Sequence, residues 1–322
     1  MPNPLVSIIT VNYNQAEVTC ALLESIRQQH YAAVEVIVVD NGSQPDPESW
    51  MTTRFPEIRY VRSEHNLGFA GGNNLGLPEA RGEFLFFINN DAEVTEGCIG
   101  RLVDFLQQTP ACGIVSPLLC YFPEPGQAAD IIQYAGMTTL HPVTARNRLI
   151  GQGEPEQGQF RESSPTAYAH GAAMMIPRRV LDQVGPMSED FFLYYEELDW
   201  CVRIRKAGYS IWMEPRARVY HKESLTVQSL GALKTYYLNR NRILFMRRHS
   251  QSGYLGLFYT YLGLILVPKN TVQLCLRREW PNLRAFWQGV LWNFGYKKNH
   301  WEIQNGPRVA DPVKKVLQHP GK

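Results

Sequence analysis

The stretch LVSIITVNYNQAEVTCALLESI, residues 5–26, contains the pattern that decides the fold. Its first seven residues form an apolar and β-branched run, which predicts a strand buried on both faces. After the polar turn Asn12-Tyr13-Asn14, apolar side chains recur at helical spacing at Val18, Leu22, Leu23 and Ile26. The opening is therefore predicted to be a buried strand followed by an amphipathic helix.

The same strand-and-helix pattern repeats further along the chain. Apolar runs at 34–39, 58–61 and 84–88 predict three more strands, and the first and last of them stop at the polar clusters DNGS (40–43) and NND (89–91). Such strands, alternating with helices, predict an α/β fold with a mostly parallel sheet and helices on both faces. Open sheets of this kind bind ligands at the carboxyl ends of their strands, so we expect the site along Asn12, Asp40 and Asp91.

The composition excludes disordered, collagenous and disulfide-stapled proteins. The chain has 322 residues, of which 44% are hydrophobic, and its six cysteines include no C-x-x-C pair. It opens without the charged and apolar regions of a secretory signal. These observations predict a cytoplasmic protein with reduced thiols.

The formal net charge of +2 conceals two regions of opposite charge. Residues 1–224 contain 17 Lys or Arg against 27 Asp or Glu, whereas residues 225–322 contain 15 against 3. The second region, which we call the basic tail, is also rich in aromatic residues. It suits an anionic surface such as nucleic acid or phospholipid headgroups.

An apolar segment lies within the basic tail at residues 254–267. It has 14 positions before Pro268, fewer than the ~20 residues that cross a bilayer, and basic residues flank it on both sides. It therefore fits a helix in the membrane interface better than a spanning helix. A helix buried in the protein's own core explains the same length, and the sequence leaves these two alternatives open.

Two segments near the predicted crevice are candidates for binding a metal ion or an anion. Asp91 follows a strand and is placed to bind Mg²⁺ or Mn²⁺, although carboxylates after strands more often cap the next helix. The segment NLGFAGGNNLG, residues 66–76, is expected to be a loop at the start of a helix, whose glycines let backbone amides approach an anion, although a tight turn with positive φ explains two of them equally well. It matches neither G-x-G-x-x-G nor G-x-x-x-x-G-K-[ST], which argues against a nicotinamide dehydrogenase and a P-loop enzyme.

The densest group of titratable side chains lies in FFLYYEELDW, residues 191–200. Helix capping explains some of its carboxylates, but apolar neighbours raise the pKa of a carboxyl group and favour a general base. Glu196 and Asp199 share a helix face, whereas Glu197 points elsewhere. Downstream, His221 ends an apolar stretch; a lone His is usually structural or at the surface, but one at a strand end is placed to complete a metal site with Asp91.

Seven motifs occur in a characteristic order along the chain. They are VSIITVNYN (6–14), VVDNGS (38–43), the segment 66–76, NND (89–91), HGAAM (170–174), YYEELDW (194–200) and His221. In this order they resemble family 2 glycosyltransferases of the GT-A fold, especially the bacterial rhamnosyltransferase-type members, over about residues 5–250. The resemblance implies a catalytic domain at 1–224, with a nucleotide-sugar half at 1–117 and an acceptor half at 118–224, followed by a helical extension at 225–322.

The resemblance further implies a nucleotide-sugar site in the first half of that domain. Val11 and Tyr13 would contact the base through their backbone, Asp40 would hydrogen-bond the base, and Asn90 would lie near the ribose or phosphate. The remaining predicted donor-binding residues belong to the glycine-rich segment: Asn66, Gly71, Gly72 and Asn74.

A metal site, an acceptor site and a catalytic base are implied in the same way. Asp91 matches the last carboxylate of the family's DxD motif and would bind Mg²⁺ or Mn²⁺ together with His221. His170 and Gly171 match the acceptor side of the family. Glu197 matches the second residue of the family's Glu-Asp pair, which is the catalytic base.

The chain departs from the family's pattern at several of these positions. Asn89 and Asn90 replace carboxylates, which makes His221 more important to the metal, and Ser188 replaces an Asp of the acceptor-side motif.

Glu197 is one methylene longer than the usual Asp of that pair. Its length makes Glu196 a rival for the role of base, while Asp199 is expected to cap the helix or orient the acceptor.

The implied reaction is an inverting, single-displacement sugar transfer from a nucleotide-sugar donor to a saccharide or polyprenyl-linked acceptor. We expect it at the inner face of the cell membrane, with peripheral contact through the basic tail, no nucleic-acid partner, and a homo-oligomer as an open alternative. A catalytically silent nucleotide-sugar-binding scaffold is the alternative from another class. A nucleotidyltransferase is excluded because Asn12-Tyr13-Asn14-Gln15 lacks a Gly-rich, Arg/Lys-bearing signature.

Overall fold

The computed structural model of the chain describes residues 3–123, 126, 129–222 and 231–295. Within these residues ten strands form one sheet: β1 Val6–Asn12, β2 Val34–Asp40, β3 Arg59–Arg62, β4 Phe84–Ile88, β5 Ala92–Val94, β6 Cys112–Tyr121, β7 Ile132–Tyr134, β8 Ser164–Pro165, β9 Ala173–Pro177 and β10 Ser210–His221. The strand order is β3-β2-β1-β4-β9-β6-β10-β5, and β7 and β8 add to β6 and β10.

Ten α-helices lie in the same described part of the chain. They are α1 Ala16–Arg27, α2 Glu48–Arg54, α3 Gly68–Gly76, α4 Cys98–Gln108, α5 Arg178–Val184, α6 Glu196–Lys206, α7 Gly231–His249, α8 Ser252–Tyr261, α9 Val267–Leu276 and α10 Trp280–Gly295. Four of them, α7 to α10, follow the sheet and form the helical extension that the sequence predicts.

The central strands are buried on both faces of the sheet. Successive side chains of a strand point to opposite faces, and both Ile8 and Ile9 of β1, like Phe86 and Phe87 of β4, are fully buried. β1 pairs in parallel with β2 and β4, and β6 with β10, while β9 runs antiparallel between β4 and β6. The predicted mostly parallel α/β sheet is confirmed.

Strand register brings the predicted site residues to one edge of the sheet. The parallel pairing of β1 and β2 ends with Asn12 beside Asp40. The antiparallel pairing of β5 and β10 sets His221 opposite Ala92, the residue that follows Asp91. Residues distant in sequence therefore meet because their strands end together.

The stretch after β6, residues 121–166, is aperiodic and rich in Pro, Gly and Gln, and two strands within it join the same sheet. β7 pairs with β6 and β8 pairs with β10, so this stretch folds back onto the catalytic domain. The proposed boundary at residue 117 falls inside β6, and the two halves of the domain consequently share one sheet.

The apolar segment 254–267 belongs to one long helical run, 252–276, in which a π-helix at Leu262–Leu266 joins α8 to α9. Phe258, Leu262 and Leu266 are buried, whereas Leu264 and Ile265 are 75% and 54% exposed. One face thus packs in the core, as the second alternative predicts, and the other faces solvent, while its contact with a membrane stays a prediction. No helix in the described residues has the length and apolar character to cross a bilayer. Residues 225–230 and 296–322 of the basic tail lie outside the described part.

Candidate active site

A network of polar side chains forms where β1 and β2 end. Asn12 Nδ2 donates to Asp40 Oδ1 at 2.8 Å and to Ser43 Oγ at 3.2 Å. The second oxygen of Asp40 accepts from the backbone N–H of Ser43 and from Arg62, each at 3.0 Å. Asp40, the predicted partner of the nucleotide base, is fully buried and rigidly held. A hydrogen bond between Asp40 and the nucleotide base stays a prediction.

Asn90 and Tyr13 lie beside this network. Asn90 Nδ2 donates to Thr19 Oγ1 at 3.2 Å, and the Thr19 hydroxyl in turn donates to Asn12 Oδ1 at 2.9 Å. Tyr13, which follows Asn12, is partly exposed. The structure therefore gathers Asn12, Tyr13, Asp40 and Asn90, which the sequence places in the same donor site.

A helix begins in the glycine-rich segment, as expected, but α3 starts at Gly68 and takes up most of the segment that the sequence assigns to the loop. A Cβ placed on Gly72 would lie 2.8 Å from Val11 Cγ1, so the missing side chain lets α3 pack closely on β1. Gly71 likewise lies within α3, where a Cβ would lie 2.8 Å from Leu67 Cβ. Close packing, together with positive φ at Gly68 alone, explains these glycines. Anion contact by their amides stays a prediction.

The two predicted asparagines of this segment hold neighbouring backbone. Asn66 Oδ1 accepts from the N–H of Gly68 at 2.8 Å and from Asn41 Nδ2 at 3.0 Å. Asn74 Nδ2 donates to the carbonyl of Met187 at 2.9 Å and to Glu189 Oε1 at 3.0 Å. Asn74 thus links α3 to the residues just before the acidic cluster, which consists of Glu196, Glu197 and Asp199.

Asp91 and His221 lie together, as the sequence predicts. His221 Nε2 is 3.1 Å from Asp91 Oδ1, and both side chains are buried. His221 Nδ1 lies 2.9 Å from Gln133 Oε1, and Nε2 lies 3.1 Å from Asn89 Nδ2. An acceptor at Nδ1 and a donor at Nε2 are both satisfied by the tautomer protonated on Nδ1, in the amide orientations assigned.

This donor set fits a divalent cation. Nε2, which accepts from Asn89 Nδ2 in that tautomer, lies beside the Asp91 carboxylate, and imidazole nitrogen with carboxylate oxygen suits Mn²⁺ or Mg²⁺. Gln133 fixes the ring from behind, as the outer partners of metal-binding histidines commonly do. No group of three or more His, Cys, Asp or Glu side chains within the described residues forms a complete metal cage. A cation held here would take its remaining ligands from substrate oxygens and water.

The predicted acceptor residues connect this pair to the acidic cluster. The His170 ring lies 6.2 Å from the His221 ring, and its Nδ1 accepts from the N–H of Ala172 at 3.1 Å. Burial, and the neighbouring His221, lower the pKa of His170 to about 3, so its ring is neutral. A Cβ placed on Gly171 would lie 3.9 Å from Glu197 Cγ. Residues 170–171 thus contact the candidate metal ligand His221 on one side and Glu197 on the other.

Helix α6 holds the acidic cluster rigidly against the sheet. Trp200 is fully buried, meets the Phe87 ring edge-on at 5.4 Å and donates through Nε1 to the carbonyl of Gly185. Asp199 is engaged on both oxygens, by Arg203 Nε at 2.9 Å and His249 Nε2 at 2.7 Å. This carboxylate joins α6 to α7 through Arg203 and His249 rather than capping the helix, and its expected role in orienting the acceptor stays a prediction.

Glu196 and Glu197 differ in their access to solvent. Glu196 is 4% exposed, and burial followed by the neighbouring Glu197 raises its pKa well above the usual range. Glu197 is partly exposed, and burial raises its pKa to about 7. One oxygen of each carboxylate has no hydrogen-bond partner within the described residues. Glu197 is therefore the less buried of the two residues, and its pKa suits proton transfer near neutral pH.

The turn before α6 has an unusual backbone. Phe192, Tyr194 and Tyr195 have φ values of 62°, 68° and 76°. Bulky residues rarely adopt positive φ, which costs about 1–3 kcal/mol each and persists only where surrounding contacts enforce it. The Phe192 carbonyl accepts from the N–H of Phe69 at 2.6 Å, and it lies where a Cβ on Gly68 would clash.

Sequence reasoning missed three residues that hold this site: Gln133, Arg62 and Asn241. Gln133 lies in the aperiodic stretch after β6, and no pattern pointed to it. Arg62 ends β3 and faces Asp40 across the parallel register, a relation visible only once β2 and β3 are paired. Asn241 lies in α7 of the basic tail and donates to backbone carbonyls in the turn before α6, whereas the charge of the tail predicts contact with an external surface.

Comparison with known proteins gives three informative matches. The low-salt glycan biosynthesis hexosyltransferase Agl10 of Haloferax volcanii is 28% identical over 281 residues, covering 85% of each chain. The N-acetylglucosaminyl-diphospho-decaprenol L-rhamnosyltransferase of Mycobacterium tuberculosis is 25% identical over 290 residues, covering 84% of this chain and 94% of the other. The structure of mannosyltransferase PcManGT from Pyrobaculum calidifontis, with GDP-Man and Mn²⁺, matches 98% of this chain and 79% of its own, with a TM-score of 0.54 and 17% identity.

The fold is a GT-A fold, and together with the relatives it defines a glycosyltransferase that uses a nucleotide-sugar donor. The chain belongs to Glycosyl transferase family 2, whose profile matches residues 7–185. That match contains Asp40, Asp91 and the segment 170–171, while α6 and the basic tail lie beyond it.

Proposed function

We propose that the protein is an inverting, metal-dependent glycosyltransferase in which Glu197 is the general base. The observation that carries this proposal is the half-buried Glu197 beside Gly171, with one carboxyl oxygen that has no hydrogen-bond partner within the described residues and a pKa that burial raises to about 7. A base of this strength accepts a proton from an acceptor hydroxyl as that oxygen attacks the anomeric carbon. The other two carboxylates of this helix suit the role less well. Asp199 is hydrogen-bonded on both oxygens by Arg203 and His249, and Glu196 is more deeply buried than Glu197.

The donor would lie along the carboxyl edge of β1, β2 and β4. The network of Asn12, Asp40 and Ser43 supports a nucleotide contact there, with the backbone of Val11 and Tyr13 beside it. Asp91 and His221 would hold the cation. When bound, Mg²⁺ or Mn²⁺ neutralises charge on the diphosphate leaving group. The GDP-Man and Mn²⁺ in the PcManGT structure support such a pairing of donor and metal.

We propose a hexose or 6-deoxyhexose such as rhamnose as the transferred sugar and a polyprenyl-diphosphate-linked saccharide as the acceptor. This follows the relatives named as a hexosyltransferase of glycan biosynthesis and as a rhamnosyltransferase acting on a decaprenol-linked acceptor. The place of the reaction would be cell-surface polysaccharide synthesis at the inner face of the membrane.

An exposed apolar face on the helical run 252–276 supports a peripheral membrane contact. The large apolar side chains exposed on it are Tyr254, Leu257, Leu264, Ile265, Val272 and Leu276. Exposed Lys269 lies on the same run, exposed Arg277 and Arg278 follow it directly, and Glu279 is the single side-chain carboxylate within residues 231–295. We propose that this apolar face docks on an anionic bilayer, because apolar insertion and basic charge complement such a surface.

Donor turnover tests the proposed function directly. The full chain should hydrolyse or transfer one sugar from a panel of dTDP-rhamnose, UDP-GlcNAc and GDP-mannose with Mn²⁺ present, and EDTA should stop the reaction. Tight donor binding without any turnover, even with polyprenyl-linked saccharides added, would favour the silent binding scaffold instead.

A further inference from the structure

We propose that Asn241 of α7 is a positioning residue that sets the catalytic geometry of Glu197 through the strained turn 191–195. The proposal rests on Glu197 acting as the base. It makes the first helix of the basic tail a working part of the active site, in addition to the membrane contact proposed for later helices.

The side-chain amide of Asn241 binds three carbonyls of this turn. Its Nδ2 lies 2.8 Å from the carbonyl oxygen of Phe191, 2.7 Å from that of Leu193 and 2.8 Å from that of Tyr194. Asn241 is fully buried, so no water replaces these contacts. An NH₂ group has two hydrogens, and three acceptors therefore share one donor group. An acceptor atom at this position would face three carbonyl oxygens and repel them.

These hydrogen bonds fall on the segment with the least favourable backbone. Phe192, Tyr194 and Tyr195 have positive φ, and Glu196 and Glu197 follow directly. Without partners inside the protein, the turn would relax and its carbonyls would turn towards water. The direction in which α6 starts, and with it the direction of the Glu197 side chain, depends on this turn.

Further contacts of α7 surround the same turn. The Tyr237 ring stacks on Phe192 at 4.9 Å with a 14° angle between the planes. Arg240 donates to the carbonyl of Asp190 at 2.8 Å, and Arg248 forms an ion pair with the Asp190 side chain. The residues 237, 240, 241 and 248 recur at helical spacing, so one face of α7 is dedicated to the turn.

The substitution Asn241→Asp replaces the amide donor by an acceptor while it preserves size and shape. The matched control is Asn239→Asp, two residues earlier in α7, where Nδ2 donates only to the carbonyl of Thr235 in its own helix. Both variants of the full chain would be compared with the wild type by hydrogen exchange of peptides covering 190–199. Turnover of the best donor from the nucleotide-sugar panel would be measured across pH 5.5–9, together with donor Kd.

We expect Asn241→Asp to speed amide exchange in 190–199 by at least ~10-fold and to lower kcat by ~10–100-fold, with donor Kd within about twofold of the wild type. The acid limb of the pH profile should move to lower pH, because a loosened turn hydrates Glu197. Asn239→Asp should change none of these quantities.

The proposal is overturned if exchange in 190–199 is unchanged, or if exchange rises while kcat and the acid limb stay at wild-type values. An equal effect of Asn239→Asp would also overturn it. Should Asn241→Asp fold too poorly, Asn241→Ala, which removes the donor without adding repulsion, should show the same pattern. Failure of the proposed function would look different. A fully active Glu197→Gln would show that Glu197 is not the base, whereas the exchange measurement would still report whether Asn241 holds the turn.

Discussion

His249, at the end of α7, and Asp199, in α6, are joined by a 2.7 Å hydrogen bond from Nε2 to Oδ1. The second oxygen of Asp199 accepts from Arg203 at 2.9 Å. Burial alone would raise the pKa of Asp199, but the hydrogen bond from His249 and the charge of Arg203 outweigh it and hold the pKa below its usual value. The pair ties the basic tail to the helix that contains Glu197.

We predict that Asp199→Asn lowers the free energy of unfolding by about 1–3 kcal/mol at pH 7, because a buried charged acceptor loses its charge. The carboxylate's contribution is fully present above its unfolded pKa of about 3.9 and is lost as pH falls through the lower folded value. The gap between wild type and variant should therefore narrow below about pH 4.

Urea unfolding at pH 7 and at successively lower pH measures this gap, with Asp182→Asn, on the exposed side of α5, as the control. A gap that stays constant down to pH 3 would show that charge on Asp199 does not stabilise the fold.

We predict that Gln133→Leu weakens Mn²⁺-dependent donor binding by ~10–100-fold, because Gln133 fixes the ring orientation of His221. Asp91→Ala and His221→Ala should abolish the metal dependence altogether. Calorimetry with the active donor, with and without Mn²⁺, measures both effects. Glu93→Ala, which removes a neighbouring carboxylate bound to Lys222, is the control. Unchanged metal dependence in Asp91→Ala would refute the metal site.

We predict that Leu264→Glu combined with Ile265→Glu reduces binding to anionic vesicles by at least ~10-fold at low salt, because two exposed apolar side chains of the apolar face become acidic. The control is Trp50→Glu in α2, which changes an exposed apolar side chain far in sequence from the apolar face and should not affect vesicle binding. Co-sedimentation with phosphatidylglycerol vesicles measures the binding. If the wild type fails to bind while light scattering reports a dimer that the double variant loses, the apolar face is an interface between two copies.

The sheet and the pairing of distant site residues could be predicted from the sequence, because both follow from local pattern. Apolar runs that end in polar residues locate strand ends, and parallel strands bring those ends to one edge, so Asn12 and Asp40 were expected together. Asp91 and His221 also lie at polar strand ends, and the antiparallel pairing of β5 with β10 brings them together. The glycine-rich segment was misassigned as a loop because glycine disfavours helices locally, whereas close packing of Gly72 on Val11 favours the helix.

The part of the site that the sequence did not predict depends on contacts between segments far apart in the chain. Asn241 looks like one polar residue in a basic helix, and its role follows only from the three carbonyls that the strained turn presents to it. The apolar segment 254–267 was ambiguous because its two faces have different environments, and composition does not separate faces.

The most direct test of the central claim is the pH dependence of kcat for the wild type, Glu197→Gln and Glu196→Gln with the active donor and Mn²⁺. Because burial raises the pKa of Glu197 to about 7, wild-type kcat should rise as pH increases through about 7, where the carboxyl loses its proton. Glu197→Gln should lose ~10²–10⁴ in kcat and show no such rise, with donor Kd unchanged, whereas Glu196→Gln should keep the rise. A Glu197→Gln variant with near-normal kcat and the same rise, beside an inactive Glu196→Gln, would contradict the account and assign the base to Glu196.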